Sequence, residues 1–181
     1  VTPEQTHDLE AIRRSEEHLL GLINSILAFA RLEASQEQIK LGPMPVVDAI
    51  ATVEALIKPQ IGGKGLAFDT SGARPGVIAH ADRHKVAQIL TNLVSNAIKF
   101  TERGGTVWVS CEANGSKVYV RVRDTGRGIA AGDMGRIFEP FVQLDRQLSR
   151  PVEGVGLGLA ISRALARAMG GDLTVESVPG A

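Results

Sequence analysis

The chain has 181 residues, room for one medium domain and an appendage, since domains most often run to about 100–150 residues. Its 44% hydrophobic and 22% charged residues exclude a disordered or fibrous protein, and 20 basic against 20 acidic side chains exclude the electrostatic footprint of a nucleic-acid or anionic-membrane binder. A single cysteine, Cys111, excludes an internal disulfide framework and a multi-cysteine zinc site.

Residues 6–34 place Leu9, Ile12, Leu19, Ile23, Ile26 and Ala30 three or four apart, with Glu16 filling the one gap, which predicts a single long amphipathic helix. Gly21 is its only breaker, at about 1 kcal/mol relative to alanine. The seam is close to a heptad repeat, so the helix wants a partner. Two are open to it: a second copy of the chain, or the helix's own globular domain. No stretch approaches the roughly 20 apolar residues of a membrane span, and the N-terminus has neither the basic region nor the cleavage site of a signal peptide. The expectation is a soluble, cytoplasmic piece with no direct membrane contact of its own, from a parent that membrane anchoring would suit.

Gly42-Pro43-Met44-Pro45 reads as punctuation, and it puts the domain boundary near residue 41: residues 1–40 helical, residues 41–181 globular. A second helix is expected over 47–61, then flexible Gly62-Gly63-Lys64-Gly65, short strands at 66–69 and 77–80, and a helix over 82–100 with Asp82 as cap and Val86, Ile89, Leu90, Leu93 and Ile98 as buried stripe. Clean alternation predicts strands at 106–112 and 117–123 joined through Asn114-Gly115. A last helix over 156–169 and a strand over 172–177 complete an α+β, two-layer α/β sandwich: a mixed sheet covered by helices on one face, with the long helix ahead of it.

Four short segments carry chemistry. Asn92, Asn96 and Lys99 fall four and three apart, so one helix face presents two amides and an ammonium; amide oxygens suit Mg²⁺, and a lysine suits phosphate. Read alone, such a face is ordinary solvated surface. Asp124-Thr-Gly126-Arg-Gly128-Ile129 follows a strand directly; its carboxylate could accept from an exocyclic amine such as adenine's, or simply close an Asx turn. Ile137-Phe138-Glu139-Pro140-Phe141 reads as packing. Gly154-Val-Gly156-Leu-Gly158-Leu159 runs into the last helix, where bare N–H groups and the positive end of the dipole favour phosphate. It lacks the dinucleotide-fold spacing and the Lys-Ser/Thr of a P-loop. Between the third and fourth segments, residues 142–153 have the composition of a lid, from which Arg146 and Arg150 could reach phosphate.

In this order the segments resemble the N, G1, F and G2 boxes of sensor histidine kinases, of the GHKL ATPase superfamily that includes gyrase. The resemblance implies ATP and Mg²⁺ as cofactors: Asn96 holding the metal, Asn92 and Lys99 meeting the phosphates, and Asp124 binding the adenine amine. Gly126 and Gly128 would shape the adenine end and lid hinge, with Gly154, Gly156 and Gly158, followed by Leu159, cradling the phosphates. Val155 stands where the family often has a small hydroxyl residue. The N-terminal helix resembles the second helix of the family's dimerisation hairpin, through Ile12-Arg-Arg-Ser-Glu-Glu-His18-Leu-Leu and Ile23-Asn-Ser-Ile-Leu27.

The resemblance therefore implies a protein-histidine kinase domain in two-component signal transduction. Its partners would be an acceptor-histidine helix outside this stretch, a response-regulator receiver domain and a second copy of the chain. His7 lacks the residues that follow an acceptor histidine, and His18, His80 and His84 read as surface or packing positions. A final sheet strand after Val178 is expected to be missing. Two other readings remain, a gyrase-like conformational ATPase and a non-catalytic nucleotide-binding or dimerisation module; the first usually places a glutamate base on the asparagine helix, and residues 88–99 have none.

Overall fold

The structure is a computed structural model, and it describes residues 2–34, 38–144 and 155–180. The first helix, α1 (Pro3–Glu33), opens on a capping box: the Gln5 amide donates to Thr2 Oγ1 (3.2 Å) while the Thr2 amide donates to Gln5 Oε1 (2.9 Å). Leu9, Ile12, Leu19, Leu20, Ile23, Ile26 and Leu27 all lie about half exposed along it. Toward its C-terminal end Ala28 and Phe29 pack against the last helix of the fold.

The Gly-Pro-Met-Pro stretch is not a break but a strand, β1 (Gly42–Pro45), paired antiparallel with β3 (Ile78–Ala81) from Gly42↔Ala81 to Pro45↔Ile78. Two prolines hide such a strand from a pattern reading because they withhold N–H groups. A two-stranded edge tolerates that loss, and Met44 gains a place in the core at 2% exposure. Helix α2 (Val46–Lys64) runs through Gly62 and Gly63, three residues beyond its expected end. It stops where Gly65 adopts φ 64° and the Leu66 amide reaches back to the Ile61 carbonyl (3.1 Å), a Schellman ending.

β2 (Ala67–Asp69) lies parallel to β4 (Thr106–Asn114), and β4 pairs antiparallel with β5 (Lys117–Asp124), giving a mixed sheet in the order β2-β4-β5. The hairpin register pairs Asn114 with Lys117, so the turn centre is Gly115-Ser116, with Gly115 at φ 59°. Along β4, Val107, Val109 and Cys111 point inward; along β5, Val118, Val120 and Val122 do. The opposite face carries Arg123 stacked 5.5 Å over Trp108, and Arg121 stacked 5.6 Å over Tyr119 while paired to Glu112.

Helix α3 (Arg83–Phe100) is packed from two sides. Leu90, Val94, Ala97 and Ile98 join Val46, Ile50, Val53 and Ile57 of α2 over the sheet, whereas Ile89 and Leu93 meet Leu157, Ile161 and Leu165 at the final helix, α4 (Gly158–Ala168). The expected stripe is therefore split between two cores. Asp82 caps α3 by accepting from the His84 and Lys85 amides at Oδ1, and its Oδ2 accepts from the Lys40 amide at 2.8 Å. Burial pushes this carboxyl up, but the amides of Lys40, Lys85 and His84 outweigh it and hold the group below its ordinary 3.8.

One expected element fails to form. Residues 172–177 keep the alternation of a strand, with Leu173, Val175 and Ser177 half-buried between exposed neighbours, yet they join no ladder among the described residues. Alternation reports which side chains face inward; a strand also needs a partner's amides and carbonyls in register.

Candidate functional site

The site assembles along α3, from its middle to its C-terminal end. At its C-terminal end the turn after β5 folds back on the helix: Asp124 accepts from the Gly126 amide at Oδ1 (2.8 Å), an Asx turn that leaves Oδ2 out of that bond. Gly126 is buried so tightly that an added Cβ would lie 2.8 Å from the Phe100 carbonyl oxygen and 2.5 Å from Asp124 Oδ1. Glycine is thus required there by backbone approach. Gly128, at φ 72°, lies against Val178 and Pro179, and the Ile129 amide donates to Ser177 Oγ, so the C-terminal stretch braces the turn.

Lys99 and Arg127 both stand over the Phe100 ring, at 5.3 and 4.9 Å from its centroid. Arg127 escaped the sequence reading; its only signal is a cation set between two turn glycines. Next to it, Thr101 is fully buried and its Oγ1 has no hydrogen-bond partner among the described residues, while a Cβ on Gly105 would meet both Thr101 Cγ2 and Thr125 Oγ1.

Toward the middle of α3, the Asn92 amide nitrogen donates to the Gly158 carbonyl (3.4 Å) and to Ser162 Oγ (3.2 Å), tying α3 to the first turn of α4. A carbonyl only accepts, so Nδ2 must be the atom facing α4, which leaves the Asn92 oxygen for other partners. Leu157, ahead of α4, provides no side-chain cap, and the first turn holds no acidic residue, so among the described residues its amides suit an anion. Leu159 and Asn96 are half-buried. Eight residues of helix, about 12 Å, separate Asn92 from Phe100.

The segment between the Asp124 turn and α4 contributes a 3₁₀ turn at Arg136–Phe138 with Ile137 buried, and Arg163 stacks 4.5 Å over Phe138. Phe141 takes φ 65°, an uncommon state for a bulky residue, and its amide donates to the Gly156 carbonyl (3.0 Å). Gly156, itself at φ 76°, meets the Val142 carbonyl so closely that a Cβ would come within 2.7 Å of its oxygen. Gly154, Arg146, Arg150 and most of the expected lid lie outside the described residues, as do the side chains of His7 and His18. Among the described residues no three His, Cys, Asp or Glu side chains converge, and no helix is long and apolar enough to cross a membrane. His80 and His84 are exposed.

The structure therefore brings Asp124, Gly126 and Lys99 to one end of α3, and Asn92, Gly156, Gly158 and Leu159 to the start of α4, with Asn96 on the helix between. Residues 81–181 match the family model described as histidine kinase-, DNA gyrase B- and HSP90-like ATPase. An uncharacterised sensor-like histidine kinase of Rhizobium meliloti is 38% identical over 176 residues, which cover 97% of this chain and 34% of that protein. The crystal structure of full-length ShkA in complex with AMPPNP superposes with a TM-score of 0.77 at 37% identity, covering 98% of this chain and 38% of that one. Histidine kinase ThkA, in complex with the response regulator protein TrrA, gives 0.72 at 25% identity, covering 94% of this chain and 47% of that one. The chain thus spans about a third of the Rhizobium relative's length.

Proposed function

Because the chain belongs to the family of histidine kinase-, DNA gyrase B- and HSP90-like ATPases, we propose that it is the Mg-ATP-binding catalytic part of a sensor histidine kinase. Residues 41–181 form the nucleotide-binding domain, and residues 1–40 the second helix of a dimerisation hairpin. The γ-phosphate passes to a histidine on a separate segment and from there to a response-regulator receiver domain, in the cytoplasm where ATP is available. The AMPPNP bound to ShkA and the regulator bound to ThkA support the two halves of this reading.

One observation carries it. A carboxylate turn packed on one end of α3, and an uncapped helix start tied to the middle of α3, frame a span suited to a nucleoside triphosphate with its base at Asp124 and its phosphates at α4. The residues fit the ligand: Asp124 Oδ2 accepts from the adenine amine, Gly126 and Gly128 set the height of the base, and the amides after Gly156 and Gly158 meet the phosphates with Leu159 behind them. The Asn96 oxygen is a hard donor suited to Mg²⁺, which when bound would neutralise phosphate charge, while Asn92 stands by the phosphates. Lys99 adds a cation for the phosphates from the same helix. Catalysis on this framework is positioning and electrostatic stabilisation, with no covalent chemistry asked of the chain.

A gyrase-like hydrolytic cycle needs a base beside the phosphates, and α3 carries no carboxylate between Arg83 and Phe100. The test is calorimetric titration with ATP, with and without Mg²⁺. Saturable binding is expected in the native chain, lost in Asp124→Asn and stripped of its Mg²⁺ dependence in Asn96→Ala. Absence of binding in the native chain overturns the reading and leaves a non-catalytic interaction module.

A further inference from the structure

Helix α3 ends with carbonyls that have no intrahelical donor, and one side chain from another helix fills the gap. Lys64, the last residue of α2, donates from Nζ to the Ile98 carbonyl (2.6 Å) and the Lys99 carbonyl (2.8 Å), with its side chain half-buried between the helices. A cation at a helix C-terminus interacts favourably with the dipole, and charge-assisted bonds are the stronger kind. The next carbonyl along, that of Phe100, is the one against which Gly126 is wedged, and Gly126 in turn holds Asp124 Oδ1.

The chain of contacts is continuous. Lys64 fixes two carbonyls, those fix the last turn of α3, that turn fixes where Lys99 departs and where the Phe100 carbonyl stands, and the carbonyl sets the seat of the Asp124–Gly126 turn. The two hydrogen bonds of Lys64 go to backbone carbonyls rather than to side chains assigned to the nucleotide. Its own backbone is anchored independently, because the Gly65 carbonyl accepts from the Gly104 amide (3.1 Å) and the Ala67 amide donates to the Gly105 carbonyl (2.9 Å), so α2 and the turn after α3 move together.

We infer that Lys64 is a positioning residue of the nucleotide site, setting selectivity for the adenine amine through the last turn of α3. The inference rests on the nucleotide reading above. Removing the ammonium while keeping the stem, in Lys64→Met, frees the Ile98 and Lys99 carbonyls, loosens the turn and blurs the position of Asp124. Arginine keeps both the charge and two donors.

The experiment measures binding of ATP and of inosine triphosphate, which has a carbonyl where adenine has its amine, well below each variant's melting midpoint. Lys64→Met is expected to weaken ATP by about tenfold, the scale of one lost charge-assisted hydrogen bond, with inosine triphosphate much less affected so that the selectivity ratio narrows. Lys64→Arg restores the ratio to within about threefold of native. A lowered melting midpoint with an unchanged ratio means that Lys64 only stabilises the fold, and overturns the inference. Should Lys64→Met fail to fold, Lys64→Gln, which removes the charge and shortens the reach, is held to the same narrowing. Asp124→Asn separates the two levels. If the native chain binds no ATP, the nucleotide reading falls and this inference with it; if Asp124→Asn loses ATP binding and Lys64→Met keeps the native ratio, only the role of Lys64 falls.

Discussion

The ring of Phe29 on α1 meets the ring of Phe141 edge-on, 6.4 Å between centroids at 69°. This is the point where the long helix touches the segment leading to the glycine-rich turn, and Phe141 holds a positive φ to make it. An aromatic pair contributes about 1 kcal/mol beyond its burial, against roughly 1–2 kcal/mol for the left-handed backbone. Phe141→Gly should therefore come out near neutral in the native chain, but stabilising in a Phe29→Ala background where the ring has already lost its partner. Chemical denaturation of the four-member cycle checks this; equal effects in both backgrounds would show the rings to be uncoupled.

Asp82 links Lys40, the start of α3 and, through its own amide donating to Met169 Sδ at 3.4 Å, the end of α4. Its carboxyl is held below 3.8, so the folded state prefers the ionised form; the stabilisation is complete above that value and is lost as pH falls through the lowered folded value. Acid titration of stability should show an extra loss below pH 3.8 that Asp82→Asn removes. At neutral pH Asp82→Ala should cost about 2 kcal/mol, the upper range for a helix cap, because the Lys40 amide is orphaned as well.

Thr101 buries a hydroxyl that no described group satisfies. A methyl of the same shape removes the cost of dehydrating it, so Thr101→Val should raise stability by about 1 kcal/mol. A fall in the melting midpoint would reveal a partner for that hydroxyl.

Gly126→Ala places a methyl against the Phe100 carbonyl, a backbone atom that cannot swing aside. The turn must open, and ATP affinity should fall by at least about tenfold with helix content unchanged by circular dichroism. Leu165→Ala attacks the other end of the site differently. It empties a fully buried position between α3 and α4, so a loss of about 2–5 kcal/mol is expected, with the midpoint moving before affinity does.

Much of this site is legible without coordinates because its signals are local. The Asp82 cap, the Asn92-Asn96-Lys99 spacing and the glycines before α4 each follow from a few adjacent residues, and α3, β4 and β5 fall within two residues of their expected bounds. What escaped depends on contacts distant in sequence. Lys64 reaches carbonyls 34 and 35 residues away, Arg127 acquires meaning only beside Phe100, and β1 exists because β3 accepts a strand with two prolines. The failure at 172–177 has the opposite origin: a period-2 pattern survives there although no strand among the described residues pairs with it.

The guanidinium stacks on the outer face of the sheet have a social consequence for the molecule. Arg123 over Trp108 and Arg121 over Tyr119 cover aromatic surface with charge, so a second sheet laid on that face would have to strip water from cations before gaining any apolar contact. That face repels company. Among the described residues no guanidinium stack covers Leu19, Leu20, Ile23 and Leu27 of the long helix, which stand about half exposed, so apolar surface there meets water without that charge.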